Sequence, residues 1–143
     1  MNKQKYNLFL DDERFPYNTS QDAYTHCDSA YDLTNNVLYK NLTWFIVRNF
    51  EQFVNTIEKL GLPECISFDH DLKDNHYYYY QMYTAYTGTI DYTVLEGTGY
   101  ECAEWLVNYI LNHDLTTPTI LIHTQNVVGG ENIKKLFENL QKK

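Results

Sequence analysis

A short apolar run, Cys65-Ile66-Ser67-Phe68, stops abruptly at Asp69-His70-Asp71-Leu72, and a second, Tyr6-Asn7-Leu8-Phe9-Leu10, runs straight into Asp11-Asp12-Glu13. Runs of this length, rich in β-favouring residues and bounded by Pro63 or by polar residues, read as buried strands. In an open parallel sheet, ligands gather beyond the carboxyl ends of the strands, so both acidic clusters fall where a site would form. Carboxylates that converge in a low-dielectric crevice repel one another, and a divalent cation is the usual compensation. Asp11, Asp12, Asp69 and Asp71 are hard oxygen donors suited to Mg²⁺ or Mn²⁺. Either cluster alone reads equally well as solvated loop or cap residues. Two of them at one end of adjacent strands favour the ion.

The rest of the chain supplies the other elements of such a sheet. Trp44-Phe45-Ile46-Val47 is the second strand, and Asn49 caps a helix whose apolar positions Phe50, Phe53, Val54, Ile57 and Leu60 keep one buried face until Gly61 ends it. Cys65 to Asp69 is the third strand. Thr98-Gly99 opens a second amphipathic helix through Tyr100, Ala103, Leu106, Val107, Ile110 and Leu111, followed by His113-Asp114. Pro118 opens the fourth strand, Thr119 to His123, and Gly129-Gly130 starts a last helix with Ile133, Leu136, Phe137 and Leu140 inward. Lys134, Lys135, Lys142 and Lys143 suit the negative end of its dipole. Strands alternating with helices predict an α/β fold, a three-layer sandwich around a mostly parallel four-stranded sheet.

Two polar stretches interrupt this order, at about 17–43 and 73–97. After Pro16 the first reads as a long loop, with a helical turn near Ser20 to Tyr24 and an extended piece near Val37 to Tyr39. The second carries seven of the 14 tyrosines, from Tyr77 to Tyr92, and Gly88 there suits a hairpin turn. Its aromatic rings offer a lid that stacks on a base, but a hairpin or loop packed on itself or on another subunit is the favoured reading.

At 143 residues the chain is expected to form one domain, and its net charge of −8 argues against coating duplex nucleic acid or an anionic membrane. Three cysteines without CxxC spacing read as reduced thiols, and the start of the chain holds neither a signal peptide nor a membrane span. A cytoplasmic protein is expected.

Around the acidic clusters stand further candidates. His123 can donate a proton or hold a phosphate oxygen, although a lone buried histidine is often only a satisfied core residue. His70 serves equally as a structural residue or a ligand. Thr124 and Asn126 sit at a strand's end beside a helix whose N-terminal amides can bind an anion. Arg14 can clamp a phosphate or pair with a neighbouring carboxylate. A nucleophilic triad, a P-loop and a cysteine-histidine zinc pattern are all lacking.

Leu10-Asp11-Asp12-Glu13-Arg14-Phe15-Pro16, Trp44, Val47-Arg48, Ile66 to Leu72, Thr98-Gly99-Tyr100 and His123 to Gly129 with Asn132 together resemble the cyclic-phosphate processing receiver-like domain family. The resemblance implies a receiver-like, flavodoxin-like fold and a role in processing cyclic phosphates. By likeness to phosphorelay receivers, Asp11 and Asp12 match the metal-binding pair, Asp69 the phosphoacceptor and Thr124 the switch hydroxyl. Departures include a first helix replaced by the loop after Pro16 and a missing fifth strand with its lysine. Asp71, His70 and His123 are additions that favour hydrolysis over phosphorelay.

The leading expectation is a metal-dependent phosphoesterase acting on a small cyclic phosphate, in a phage or bacterial-defence setting. Asp11, Asp12, Asp69 and Asp71 would hold the ion, Asp69 or Asp71 would orient water, and His123 would protonate the leaving oxygen. Arg14, Thr124, Asn126 and His70 would contact substrate. The alternatives are a non-catalytic module that binds a nucleotide or a protein partner, with oligomerisation through the tyrosine-rich segment, and a phosphoacceptor receiver.

Overall fold

The computed structural model describes residues 5–17, 29–72 and 98–141. Four strands, β1 (Asn7–Leu10), β2 (Trp44–Val47), β3 (Cys65–Phe68) and β4 (Thr119–Ile122), form one sheet in the order β2-β1-β3-β4. Every pairing is parallel, with Leu10 opposite Val47 and Phe68, and Phe68 opposite Ile122. The α/β receiver-like architecture therefore stands as the sequence predicts. Because β1 lies between β2 and β3, the strand order reverses there, and in open α/β sheets ligand sites form beyond the strand ends at such a point.

Period-two alternation gives the sheet two different faces. Leu8, Leu10, Ile66 and Phe68 share one core with Phe53 and Ile57 of α3 (Phe50–Leu60), with Cys102, Ala103, Leu106 and Ile110 of α4 (Gly99–Asn112), and with Ile133 and Phe137 of α5 (Val127–Gln141). Phe9 on the other face packs with Ala30 of α1 (Ala30–Thr34) and Tyr39 of α2 (Leu38–Asn41). Among the described residues, two helical pieces of five and four residues pack on that face.

Caps follow the sequence closely. Asn49 and Thr98 accept from the amides of Gln52 and Glu101 at the starts of α3 and α4, and Gly61 ends α3 at φ 87°. Three expectations are corrected. The residues 37–39 are not extended, because the Asn36 side chain accepts from the Leu38 amide at 3.0 Å and its carbonyl accepts from Tyr39, which closes a helical turn. The last helix begins at Val127, two residues before the glycines, because Asn126 caps it. Asp69 and His123 lie just past their strands, although the amide of each still donates into the ladder, to Leu10 and Phe68. The turn expected at 20–24, the tyrosine-rich segment and Gly88 lie outside the described residues.

Candidate active site

Register brings three strand ends into one row. Asp11, Asp69 and His123 each follow the last paired residue of β1, β3 and β4, and alternation turns them to the face of Phe9, Ser67 and Leu121. All three are buried, at 0%, 2% and 1% exposure.

Asp11 is the most heavily bonded of them. Its Oδ1 accepts from the amides of Glu13 (2.9 Å) and Arg14 (2.8 Å), and its Oδ2 meets Arg14 Nε at 2.9 Å and His123 Nε2 at 3.0 Å. Burial alone would raise its pKa, but the His123 hydrogen bond, the charges of His123 and Arg14 and the Arg14 amide outweigh that and hold it at about 2. Asp69 goes the other way. Burial and the neighbouring Asp11 charge push its pKa up, against the opposing pull of His123, Arg14 and Thr124. Two adjacent buried carboxylates are thereby split, one firmly ionised and one resisting ionisation.

His123 lies beneath this pair rather than at a substrate surface. Its ring stacks on Phe9, with centroids 4.5 Å apart, and Nδ1 lies 2.6 Å from Ser67 Oγ, itself 2.7 Å from the Tyr39 hydroxyl. Ionised Asp11 can only accept, so Nε2 carries a proton, and Nδ1, Ser67 Oγ and the Tyr39 hydroxyl continue the hydrogen-bonded chain on the other side of the ring. Burial pushes the Tyr39 hydroxyl up to about 12 despite its bond to Ser67, which keeps it protonated. With both nitrogens engaged, the ring is built to hold Asp11 in place.

Arg14 bridges the carboxylates from the loop after β1, with Nε on Asp11 and an amino nitrogen 3.2 Å from Asp69 Oδ2. Its other amino nitrogen is buried without a hydrogen-bond partner among the described residues. Burial works against its charge, but Asp11 and Asp69 more than compensate and raise its pKa. Arg48 fixes the loop itself, donating to the carbonyls of Asp11 (3.1 Å) and Arg14 (2.6 Å) while its guanidinium lies over the Phe15 ring.

On the far side of Asp69, His70 donates its amide to Asp69 Oδ1 at 2.9 Å and sets its Nδ1 2.8 Å from Asp71 Oδ1. Two glycines shape this corner. A Cβ on Gly99 would meet the Asp69 carbonyl oxygen at 1.7 Å, and one on Gly129 would meet His70 Cγ at 2.4 Å. The Thr124 hydroxyl, which helps to pull the Asp69 pKa down, accepts from the Asn126 amide at 3.1 Å. Asn126 Oδ1 is occupied by the Gly129 amide.

Among the described residues, Asp11, Asp12 and Asp69 form the one acidic group whose ligand atoms lie within 4.8 Å of one another. Hard carboxylate oxygens at that spacing fit a divalent ion, as in receiver domains. Asp71 stands outside the group, engaged with His70. The profile of the cyclic-phosphate processing receiver domain matches residues 6–139. The chain belongs to that family. Comparison with curated proteins and with solved structures finds no match. Among the described residues of this receiver domain, no helix is long and apolar enough to cross a membrane. Cys65 and Cys102 are free, buried thiols, Cys65 with its pKa pushed up to about 11 by burial.

Three contributors were not singled out from the sequence. Ser67 had a signal, as the one hydroxyl inside an otherwise apolar strand. Tyr39 had none and Arg48 stood only among the residues of the family resemblance, with no role assigned, since their partners lie 28 and 37 positions away.

Proposed function

We propose that this domain is a metal-dependent phosphoesterase that opens a small cyclic phosphate, such as a cyclic nucleotide or a nucleoside cyclic phosphate. One observation carries the reading: a buried guanidinium nitrogen of Arg14, without a partner among the described residues, sits beside the acidic group that suits a divalent cation. Cation-holding and anion-holding groups side by side are what a metal-assisted phosphoryl site requires.

Asp11, Asp12 and Asp69 would hold Mg²⁺ or Mn²⁺, which when bound supplies Lewis-acid polarisation of the phosphoryl group and an acidified water. Arg14 and the α5 amides balance charge on the phosphate oxygens, with Thr124 beside them. Asn126 acts by capping that helix start. Asp71 accepts from His70 Nδ1 and orients the ring, whose other nitrogen has no partner among the described residues. His70 is then better suited than buried His123 to pass a proton to the leaving ring oxygen. Water adds to phosphorus, one P–O ring bond breaks, and the product is a phosphomonoester. His123 is a positioning residue acting through Asp11.

A panel of 2′,3′-cyclic, 3′,5′-cyclic and cyclic oligonucleotide phosphates, incubated with and without Mg²⁺ or Mn²⁺ and resolved by chromatography and mass, tests this reading. Metal-dependent gain of one water is expected, and its loss in Asp69→Asn with an unchanged circular dichroism spectrum. Turnover retained in that variant rejects the assignment. A non-catalytic binding module is favoured by one fact, that every acceptor position of Asp11 is already filled from within the chain. It predicts a ligand retained and recovered intact.

A further inference from the structure

We propose that Arg14 is a built-in counter-cation that a divalent ion must displace from Asp11 and Asp69, so that metal binding itself releases the guanidinium for the phosphate. This rests on the reading of the acidic group as a metal site. A carboxylate offers about four lone-pair positions. In Asp11 all of these are used: two by the amides of Glu13 and Arg14, one by Arg14 Nε and one by His123 Nε2. A cation can reach Asp11 only if one partner lets go.

The partners differ in how easily they do so. The two amides belong to the turn after β1. His123 is held by Ser67 and by its stack on Phe9, at 1% exposure. Only the Arg14 side chain sits on a flexible stem. Its backbone stays behind when that stem moves, because the Arg14 amide is held by Asp11 Oδ1 and its carbonyl by Arg48. Arg14 also takes Asp69 Oδ2 at 3.2 Å, so its one guanidinium faces both buried carboxylates. Guanidinium and metal compete for the same negative charge and repel each other. Once displaced, the planar fork of N–H groups matches two phosphate oxygens, and the nitrogen already lacking a partner gains one. Metal and phosphate should therefore bind cooperatively, with Arg14 as the coupling element.

Mn²⁺ binding, read by electron paramagnetic resonance or calorimetry on the whole chain, tests this without reference to turnover. Arg14→Gln should bind Mn²⁺ about tenfold or more tightly than the wild type, since a competing charge is gone. Arg14→Lys, which keeps the charge but cannot span both carboxylates with a fork, should fall between them, and it carries the comparison if Arg14→Gln does not fold. Inorganic phosphate should bind the wild type more tightly with Mn²⁺ present, and that gain should be smaller in Arg14→Gln, where only the ion's own attraction remains. Wild-type Mn²⁺ binding that is unchanged or weaker in both variants overturns the displacement while leaving the metal site standing. Absence of Mn²⁺ binding in wild type and both variants overturns the metal reading together with it.

Discussion

Replacing Asp11 with Asn removes the one carboxylate that the fold holds strongly ionised. Its pKa of about 2 against an ordinary 3.8 means that folding favours the charged form. Each unit corresponds to about 1.4 kcal/mol, so ionised Asp11 contributes about 2–3 kcal/mol to stability near neutral pH. The sign follows from the lowered pKa: the contribution is complete above the unfolded value and is lost as pH falls from 3.8 towards about 2. Asp69 has the opposite sign, its raised pKa disfavouring the folded state when ionised, and it is relieved when the Asp11 charge goes. About 2–3 kcal/mol is therefore the upper end for the variant at neutral pH. Urea denaturation of wild type and Asp11→Asn at several pH values between neutrality and about pH 3 measures the difference. Any fixed cost of turning an amide towards Arg14 and His123 shifts one curve bodily, whereas the ionisation makes the curves converge as the pH drops. Parallel stability profiles across the acid range would refute the reasoning.

Gly129→Ala places a Cβ 2.4 Å from His70 Cγ and must displace that ring. Turnover should fall about 100-fold, a misplacement effect, while the melting temperature changes little because alanine suits the helix; unchanged turnover would exclude His70 from the chemistry. Ser67→Ala leaves both the Tyr39 hydroxyl and His123 Nδ1 unpartnered and should cost about 2–3 kcal/mol, against about 1 kcal/mol for Tyr39→Phe. Denaturant titration that ranks them in reverse would break the relay. Gly61→Ala forces a side chain onto φ 87° and should cost about 1 kcal/mol or more by the same measurement. Cys65 and Cys102, buried and with raised pKa values, should resist alkylation by iodoacetamide until the protein is unfolded.

The sequence by itself determined the elements and the end of the sheet that matters. Apolar runs broken by Asp11 and Asp69, caps at Asn49 and Thr98, and the stop at Gly61 are local signals, set by residues within a few positions of one another. The acidic pair was legible for the same reason, because strands that point the same way deliver their ends to one place. Only tertiary structure decided what each group does there. His123 was read as a proton donor, but Phe9, Ser67 and Tyr39 enclose it from three separate elements. Arg14 was read as a phosphate ligand, and the fold lays it across two carboxylates 3 and 55 positions away in the chain. Asp71 was grouped with the metal donors, and the close approach of Gly129 to His70 sets the ring that Asp71 bonds. A carboxylate's role depends on which charges and donors lie within a few ångströms of it, and long-range packing chooses those neighbours.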